Sequence, residues 1–336
     1  KKINQIINES EINSKFISTK HSKLDINCNI LKKNFFIDTY NYFPLTEEYY
    51  SFLDIFMWGD SLKYENFNSS IFLENFEKNK KNFKFLQDIF ILGSSPFNNY
   101  YRNIMTFLPR IFFIKEKKIK LAIHRNCSNK LRNFIQKLCN HMNIEIQFIF
   151  LDDGFYKFTN SKIPQFLQKK DSISILNMLK NSSNLKKEKI YITRQNSAVR
   201  NLINERDVFN KLKKSGFRMI DLNNFNIFEQ INLFSNAEVI VSPTGSGLTN
   251  IVFCNEGTKI IEICPKYNFD YENNFKSRFS FIAENLKLKY LQIVADPIKV
   301  DKIDIRIKNT IAKKVIEESN YYKDLLLKLE KIDNII

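Results

Sequence analysis

Residues 237–265 read AEVIVSPTGSGLTNIVFCNEGTKIIEICP, and this stretch decides how the second half of the chain folds. The apolar run over residues 238–242 predicts a buried strand that ends in the small-residue turn 243–247. An apolar helix over 248–254 and a second strand over 258–263 follow. Strand, glycine turn, helix and strand is the unit through which an open parallel sheet presents backbone N–H groups to an anion.

The turn carries Gly245 and Gly247, which are two of only seven glycines in 336 residues. A phosphate can approach the backbone of a glycine turn because no Cβ stands in its way. The segment therefore predicts an anion site. A helix start without any ligand is the alternative interpretation of the same residues.

Length and composition set the broad class. A chain of 336 residues with 43% hydrophobic content is large enough for two domains, each with its own core. The formal net charge of +16 is compatible with nucleic acid, an anionic membrane surface or phosphorylated substrates. The basic residues are dispersed, and no recognised nucleic-acid-binding motif accompanies them. Nucleic acid is thus not the expected partner, although a basic nucleic-acid-binding protein stays an alternative class.

The cysteines favour buried thiols in a reducing compartment, because their spacing fits neither a disulfide framework nor a zinc site. They are Cys28, Cys127, Cys139, Cys254 and Cys264. Only three histidines occur, so a histidine-based metal site is not expected. No signal peptide or membrane-length apolar run is seen, which predicts a cytoplasmic protein.

The second half alternates strands with short helices, a pattern that predicts a parallel, doubly wound sheet. The further predicted strands are 189–193, 217–222 and 289–294, and the predicted helices are 205–214, 227–234 and 277–285. Helical periodicity over 304–331, broken or bent near Ser319, predicts a long C-terminal helix that packs back across the body.

The first half is less regular but again α/β. Two short strands are predicted within 26–37, further strands at 120–124 and 145–151, an amphipathic helix at 99–113 and a second helix at 129–141. We predict an N-terminal α/β domain over residues 1–180, a nucleotide-binding domain over 186–300 and the packing helix over 301–336.

Polar side chains at predicted strand ends are the candidates for chemistry. Arg194 directly follows a strand and Arg200 lies six residues later, and two guanidinium groups at such an edge suit a diphosphate. Glu262 ends the strand after the glycine turn, where a carboxylate can accept hydrogen bonds from ribose. Asp153 follows another strand and is the candidate base, although a simple turn is the commoner explanation of the Asp152–Asp153–Gly154 sequence.

Five segments in chain order carry a specific pattern. The first segment consists of Asn99–Arg102 with Asn103, followed by Leu108–Arg110. The other four segments are residues 191–205, 229–234, 242–253 and 257–265. Together they resemble glycosyltransferase family 61, whose motifs read approximately N-Y-[YF]-H-W with L-P-R, Y-I-S-R then R then N-E, E-Q-I-x-L-F, G-x-H-G-A-G-L-x-N-x-x-F and G-x-x-x-I-E-I-x-P.

The resemblance implies a GT-B-like architecture of two Rossmann-like domains, with a donor held by the C-terminal domain and an acceptor in the cleft. It implies transfer of a hexosyl or pentosyl group from a nucleotide sugar, UDP-sugar favoured, to a glycan or lipid-linked saccharide. Transfer is expected to invert the anomeric carbon without metal or other cofactor. The expected role is surface (capsular) polysaccharide synthesis. Independently of the resemblance, the basic surface predicts peripheral contact with an anionic inner membrane.

The same resemblance assigns the site residues. The donor-binding residues are Arg194, Arg200, Thr244, Gly245, Ser246, Gly247, Asn250 and Glu262. The catalytic candidates are Arg102, which stands at a motif position, and Asp153, which lies outside the motifs and is selected because it follows a strand. Two positions depart from the family pattern, since Thr244 stands where the family has His and Arg102–Asn103 replaces His-Trp. An inactive glycosyltransferase-like scaffold is therefore a further alternative.

Overall fold

The computed structural model describes residues 16–21, 23–39, 42, 44–46, 74, 76–180, 187–195, 197–268, 276–298 and 317–333. The chain divides into two compact units, residues 1–175 and 176–336. Each unit has its own sheet and its own cluster of buried apolar side chains.

The sheet of the first unit is mixed. Its strands are β1 (Phe16–Lys20), β2 (Asn27–Asp38), β3 (Pro44–Thr46), β4 (Lys84–Gln87), β5 (Ile89–Ile91), β6 (Lys118–His124), β7 (Glu145–Leu151) and β8 (Phe155–Pro164). The order is β1-β2-β8-β5-β6-β7, with β3 beside β2 and β4 beside β8. Strands β5, β6 and β7 are parallel, whereas β2 pairs antiparallel with both β1 and β8. The expected GT-B pair of Rossmann-like domains is therefore not confirmed.

Residues 26–37, predicted as two short strands, form the single strand β2 instead. The polar pair Lys32–Lys33 interrupts the apolar pattern, but the register with β8 shifts between Lys33 and Phe35 and the strand continues. A β-bulge of this kind absorbs a break in alternation without ending the pairing.

The first unit contains α1 (Asn129–His141) and a short 3-10 helix at Lys80–Asn82, and α2 (Lys169–Asn177) begins in this unit and ends two residues beyond it. A mixed helix covers the segment predicted as amphipathic; it is α over Tyr100–Arg102, π over Asn103–Phe107 and 3-10 over Leu108–Phe113. Most of it is buried, so its predicted amphipathic character is wrong. Pro109 has no N–H to donate, which disfavours a regular α-helix at this point.

Arg110, in the mixed helix, is fully buried. Its Nη1 donates to the carbonyl of Pro164 at 2.8 Å and its Nη2 to the carbonyl of Leu92. The guanidinium also lies 4.2 Å from the ring centroid of Phe166 and 5.3 Å from that of Phe107. Burial lowers the pKa of Arg110 to about 9, so the group remains charged at neutral pH and holds two strand ends together.

We expect Arg110→Met to destabilise the first unit by about 2–5 kcal/mol, because two buried carbonyls lose their donor. Urea denaturation followed by circular dichroism measures the loss. Arg125→Met is the control, since Arg125 is exposed and pairs with Asp152 at the surface. Equal stability of the two variants would contradict the structural role of Arg110.

The sheet of the second unit is parallel except at one edge. Its strands are β9 (Glu188–Ile192), β10 (Phe217–Ile220), β11 (Ala237–Pro243), β12 (Lys259–Pro265), β13 (Lys289–Ile298) and β14 (Asp324–Leu326), in the order β10-β9-β11-β12-β13-β14. The five strands β9 to β13 pair with one another in parallel, and β14 pairs antiparallel with β13. The predicted parallel, doubly wound sheet is confirmed for this unit.

The connecting helices are α3 (Glu205–Lys214), α4 (Ile227–Ser235), α5 (Arg278–Asn285) and α6 (Glu330–Asp333), with 3-10 helices at Leu222–Asn224, Ser246–Phe253 and Asn320–Tyr322. Helix α4 begins with a capping box in which Asn226 and Glu229 satisfy each other's backbone N–H groups. Helix α3 ends before Gly216, whose φ of +85° is the left-handed conformation that glycine adopts readily.

The apolar helix predicted after the glycine turn is present and has 3-10 geometry over Ser246–Phe253. The predicted long C-terminal helix is wrong within the described residues. Residues 317–333 do not continue a long helix: they form a 3-10 turn, strand β14 and the short α6. Leu325, Leu327 and Ile332 join the core of this unit, so their apolar spacing reflects a strand and a turn. Residues 299–316, the start of that predicted helix, lie outside the described residues.

Candidate functional site

The sheet order places a crevice at the carboxyl ends of β9 and β11. In the sheet, β10 lies on one side of β9 and β11 lies on the other side. The order of strands along the chain therefore reverses direction at β9. Ligands of doubly wound sheets bind outside the strand ends at such a switch point. Arg194 follows β9, and Thr244 and Gly245 follow β11, so two of the predicted motifs flank this point.

Arg194 lies directly against Gly245. A Cβ built on Gly245 would stand 1.7 Å from Nη1 of Arg194 and 2.5 Å from its Cζ. The backbone of Gly245 is extended, with φ of 173°, so any residue could adopt its conformation. A Cβ at this position would therefore displace the guanidinium end of Arg194, which fills the space beside the glycine. A Cβ on Gly247 would likewise stand 2.8 Å from Cδ1 of Leu222.

The Arg194 guanidinium is only partly satisfied. Nη2 donates to the carbonyl of Val199 at 3.1 Å, whereas Nε is buried without a hydrogen-bond partner. Arg194 forms no ion pair within the described residues. Burial and then the charge of Arg200 lower the pKa of Arg194 to about 9. The side chain is half-buried, so this cation is available to an anion from solvent.

Arg200 has a different environment, although it was predicted to share the same role. Its side chain is buried; Nε donates to the carbonyl of Thr244 at 3.2 Å and Nη1 to the carbonyl of Tyr321 at 3.0 Å. The guanidinium carbon lies 4.0 Å from the centroid of the Tyr321 ring. Arg200 thus fixes the turn at Thr244, and its own backbone has a left-handed φ of 60°.

Glu205 holds the end of β9 in place. Its buried carboxylate accepts hydrogen bonds from the Tyr191 hydroxyl at 2.7 Å, the Thr193 hydroxyl at 2.8 Å and the backbone N–H of Arg194 at 3.3 Å. Burial, followed by the adjacent Glu205 charge, raises the pKa of Tyr191. Sequence reasoning gave Glu205 no role in the site, although it belongs to the matched N-E motif.

Glu262 lies on β12 and is fully enclosed. Its Oε2 accepts hydrogen bonds from the Tyr290 hydroxyl and from Nε2 of Gln292 at 2.9 Å, while Oε1 has no partner among the described residues. Burial raises the pKa of Glu262, and the nearby Thr244, Tyr290 and Gln292 side chains offset only part of that rise. The carboxyl is thus held closer to its neutral form than an exposed glutamate.

Three buried polar atoms around the Thr244–Gly245 turn lack partners in the described part of the chain: Nε of Arg194, Oε1 of Glu262 and the hydroxyl of Tyr267. Thr244 connects them, because it lies near both Glu262 and Tyr267. Buried polar groups in folded proteins are normally hydrogen-bonded. A ligand that offers both acceptors and hydroxyl groups fits this arrangement.

The other predicted donor-binding residues differ in exposure. Ser246 and Gly247 are half-exposed at the start of the 3-10 helix, where the first backbone N–H groups have no intrahelical acceptor. Asn250 is fully buried, and its Nδ2 donates to Oε1 of Gln230 at 2.8 Å. Gln230 in turn donates to the carbonyl of Leu222 at 3.0 Å. These contacts give Asn250 a structural role that needs no ligand.

In the first unit, Asp153 pairs with a histidine that sequence reasoning missed. Nε2 of His124 lies 3.0 Å from Oδ1 of Asp153, and the backbone N–H of Asn126 donates to Nδ1 of His124. Because Nδ1 accepts, Nε2 carries the proton and donates to Asp153. The Asp153 side chain is 76% exposed, whereas His124 is buried. His124 ends β6, so the strand-end rule that selected Asp153 selects it as well.

The sequence also singled out Asp152, Arg102 and Asn103 in this unit. Asp152 forms ion pairs with Arg125 and with Lys84, and the Arg125 hydrogen bond holds the pKa of Asp152 below its usual range. Arg102 is half-buried, and its backbone N–H donates to Oδ1 of Asn99, the helix cap. Asn103 is buried and accepts the N–H of Ser95 at 2.7 Å, so it fixes the loop after β5.

The rest of the described structure adds three observations. All five cysteines are buried and free, as predicted. Within the described residues, no three His, Cys, Asp or Glu side chains lie together as a metal site. In that same part of the chain, no helix has the length and hydropathy of a membrane span.

Comparison with known proteins is consistent with this geometry. Residues 100–261 match the family described as Glycosyltransferase 61. The match runs from the mixed helix to β12 and contains Arg194, Arg200 and the Thr244–Gly245 turn; it confirms the resemblance stated above. A search of curated proteins finds no significant match. The family implies a glycosyltransferase, which acts on a sugar donor and an acceptor.

The buried carboxyl of Glu262 predicts a specific pH dependence. Its folded-state pKa is raised, so its contribution to stability is full below the ordinary glutamate pKa of about 4.3 and is lost as pH rises through the raised value. Glu262→Gln removes this titration. We therefore expect the melting temperature of the variant, relative to the wild type, to increase from pH 5 to pH 8.

Thermal denaturation at pH 5, 6.5 and 8 measures this difference. Glu256→Gln is the control, because the Glu256 side chain is 68% exposed. A difference between Glu262→Gln and the wild type that stays constant over this range would contradict the raised pKa.

Proposed function

We propose that this chain is a glycosyltransferase that moves a sugar from a nucleotide-sugar donor to a saccharide acceptor. The proposal starts from the match of residues 100–261 to the glycosyltransferase 61 family. The observation that carries the donor site is Arg194, a half-buried cation without an anionic partner in the described residues, packed on the Gly245 turn. The diphosphate of the donor binds here.

The chemistry of transfer needs positive charge at this point. When the bond from the anomeric carbon to the diphosphate breaks, negative charge builds on the departing phosphate oxygen. Arg194 supplies planar paired donors to that charge, and the N–H groups at the start of the 3-10 helix add partial positive charge. Arg200 takes a supporting role, since both of its described hydrogen bonds go to backbone carbonyls. A metal ion is not required by this arrangement.

The donor's hydroxyl groups fit the other side of the turn. Oε1 of Glu262 and the hydroxyl of Tyr267 are the buried groups that lack partners there. A ribose or sugar hydroxyl both donates and accepts hydrogen bonds, so it can satisfy both groups. Because Oε1 of Glu262 has no hydrogen-bond partner among the described residues, it supports the predicted contact of Glu262 with ribose. The preference for a UDP-sugar stays a prediction.

Asp153 is the proposed base. Its exposed carboxylate takes the proton of an acceptor hydroxyl while the acceptor oxygen attacks the anomeric carbon and the nucleotide leaves, which inverts that carbon. His124 is placed to orient the carboxylate through Nε2–H. The polysaccharide product remains a prediction of the resemblance, and the cytoplasmic location and the contact with an anionic membrane remain predictions from the sequence pattern and the basic charge.

An inactive scaffold is the second candidate, favoured by Thr244 at the position where the family has His. Such a protein keeps nucleotide binding but shows neither transfer nor donor hydrolysis. An assay of both activities with the nucleotide sugars that bind separates the two functions.

For the donor site, we expect Arg194→Gln to weaken binding of nucleoside diphosphates about 10- to 150-fold. This is the scale of a lost charge-assisted hydrogen bond, about 1.5–3 kcal/mol. A thermal-shift screen of nucleoside mono- and diphosphates identifies the ligand, and calorimetry gives its affinity. Arg218→Gln is the control, because Arg218 pairs with Glu188 on the exposed surface. Unchanged affinity in Arg194→Gln would remove the donor-site assignment.

For the base, we expect Asp153→Asn to reduce the transfer rate about 10²- to 10⁴-fold, the usual contribution of a general base. Donor affinity should stay at the wild-type value. Transfer is followed with the nucleotide sugar identified by the screen. Asp152→Asn is the neighbouring control, since Asp152 is already engaged by Arg125 and Lys84. Equal rates in both variants would exclude Asp153 as the base.

A further inference from the structure

A cavity of about 600 Å³ lies in the first unit, at the amino ends of strands β5, β6 and β7. Its volume is within the range of sites that bind small molecules. Its lining combines charged and amide side chains with the apolar residues Ile89, Phe90 and Ile119. The proposed base Asp153 follows the carboxyl end of β7, so the cavity and the base are at opposite edges of one sheet.

Two neighbouring parallel strands place four polar side chains of the cavity on one face. Lys118 stands opposite Glu145 in the register of β6 and β7, and Lys120 stands opposite Gln147. Residues two apart share a face of a strand, and paired strands are about 4.8 Å apart, so the four groups are neighbours. Nζ of Lys118 lies 2.7 Å from Oε1 of Glu145. The side chains of Lys120 and Gln147 have no partner among the described residues, so an ammonium and a carboxamide are free to bind a ligand side by side.

Two further lining residues, both exposed, have left-handed backbone conformations: φ is 56° at Asp88 and 45° at Asn160. Asp and Asn tolerate this region better than other residues that carry a side chain. Nδ2 of Asn160 donates to Oδ1 of Asp88, and the backbone N–H of Asp88 donates to the Thr159 carbonyl at 3.2 Å. Oδ2 of Asp88 has no partner in the described part of the chain, so it remains an acceptor for a ligand.

The charges of the lining cancel. Two of its three lysines form ion pairs with its two glutamates, and the remaining charged residues are Lys120 and Asp88, one of each sign. The lining is therefore neutral, although the whole chain carries a formal charge of +16. An anion gains no net attraction from such a lining. The ligand that fits is uncharged, with both hydrogen-bonding groups and apolar surface.

We propose that this cavity binds a neutral saccharide, namely a segment of the acceptor glycan remote from the hydroxyl that reacts. A sugar hydroxyl both donates and accepts hydrogen bonds, which suits an ammonium, a carboxamide and a carboxylate in one cavity. The C–H groups of a sugar ring suit the apolar part of the lining. Assigning the saccharide to the acceptor rests on the proposed glycosyltransferase function.

The position of the cavity decides which part of the acceptor it holds. Lys120 and His124, the partner of the proposed base, are four residues apart on β6, which corresponds to about 13 Å. A sugar in the cavity is therefore not the sugar that reacts. Binding at the cavity keeps a long acceptor near the enzyme and raises its effective concentration at the base.

The test measures binding of neutral oligosaccharides from cellulose, chitin and galactan to the full chain by calorimetry, with inorganic phosphate as the anionic comparison. We expect one of these oligosaccharide classes to bind the wild type. Lys120→Met should weaken that binding about tenfold or more, and Gln147→Leu about two- to tenfold, because one charged and one neutral hydrogen-bonding group are lost. Both side chains are exposed, so the melting temperature should not change. Lys137→Met is the matched control, because Lys137 is exposed on α1 and does not line the cavity.

Three binding results would overturn the saccharide site. They are no oligosaccharide binding by the wild type, equal affinity in Lys120→Met and Gln147→Leu, and tighter binding of inorganic phosphate that the same variants weaken. Nucleoside diphosphates are titrated into the same preparations. If these do not bind the wild type while the variants still lose oligosaccharide affinity, the donor site and the acceptor assignment fall, but the saccharide site stands.

The transfer assay tests the remote position. We expect Lys120→Met to raise the KM of a long acceptor several-fold more than the KM of the corresponding monosaccharide, which is too short to reach the cavity from the base. Equal changes in the two KM values would contradict a remote acceptor segment.

Discussion

The contact between the Arg194 guanidinium and the Cα of Gly245 is the constraint on which the candidate site depends. No side chain larger than hydrogen fits at position 245 while Arg194 stays where it is, because a Cβ would overlap Nη1. Hydrogen bonds from neighbouring residues hold the two sides of this contact in place. Glu205 holds the backbone of Arg194, Arg200 holds the carbonyl of Thr244, and Tyr321 holds Arg200. The site is thus built from four separate parts of the second unit.

Three arginines of this chain show how a structural guanidinium differs from one that can receive a ligand. Arg110 is fully enclosed between two carbonyls and two aromatic rings, so solvent cannot reach it. Arg200 is buried against two carbonyls and one ring. Arg194 has one described carbonyl partner, a buried Nε without an acceptor and an exposed portion. All three occur in the family motifs, so the motif alone does not distinguish their roles.

The sequence was informative wherever the relevant contacts are local or follow from the order of strands. Alternation of β9 to β13 with helices predicted the parallel sheet, and the strand-end rule brought Arg194, Arg200 and Thr244 together. Helix α1 and strand β7 were predicted with their observed bounds. Contacts between distant segments were missed, because no local pattern records them. Tyr321 meets Arg200 across 121 residues, and β14 has an apolar spacing that also fits a helix.

Thr244 shows what the departure from the family pattern changes. A histidine at this position loses its charge above a pKa near 6.5, so any help it gives to a departing phosphate depends on pH. Threonine carries no charge at any pH, and here it lies between the buried groups of Glu262 and Tyr267. The positive charge of this site therefore comes from guanidinium groups, which stay protonated throughout the physiological range. A site of this composition keeps its attraction for a diphosphate from about pH 6.5 up to the lowered Arg194 pKa of about 9, a range in which an imidazole contributes only a neutral hydrogen bond.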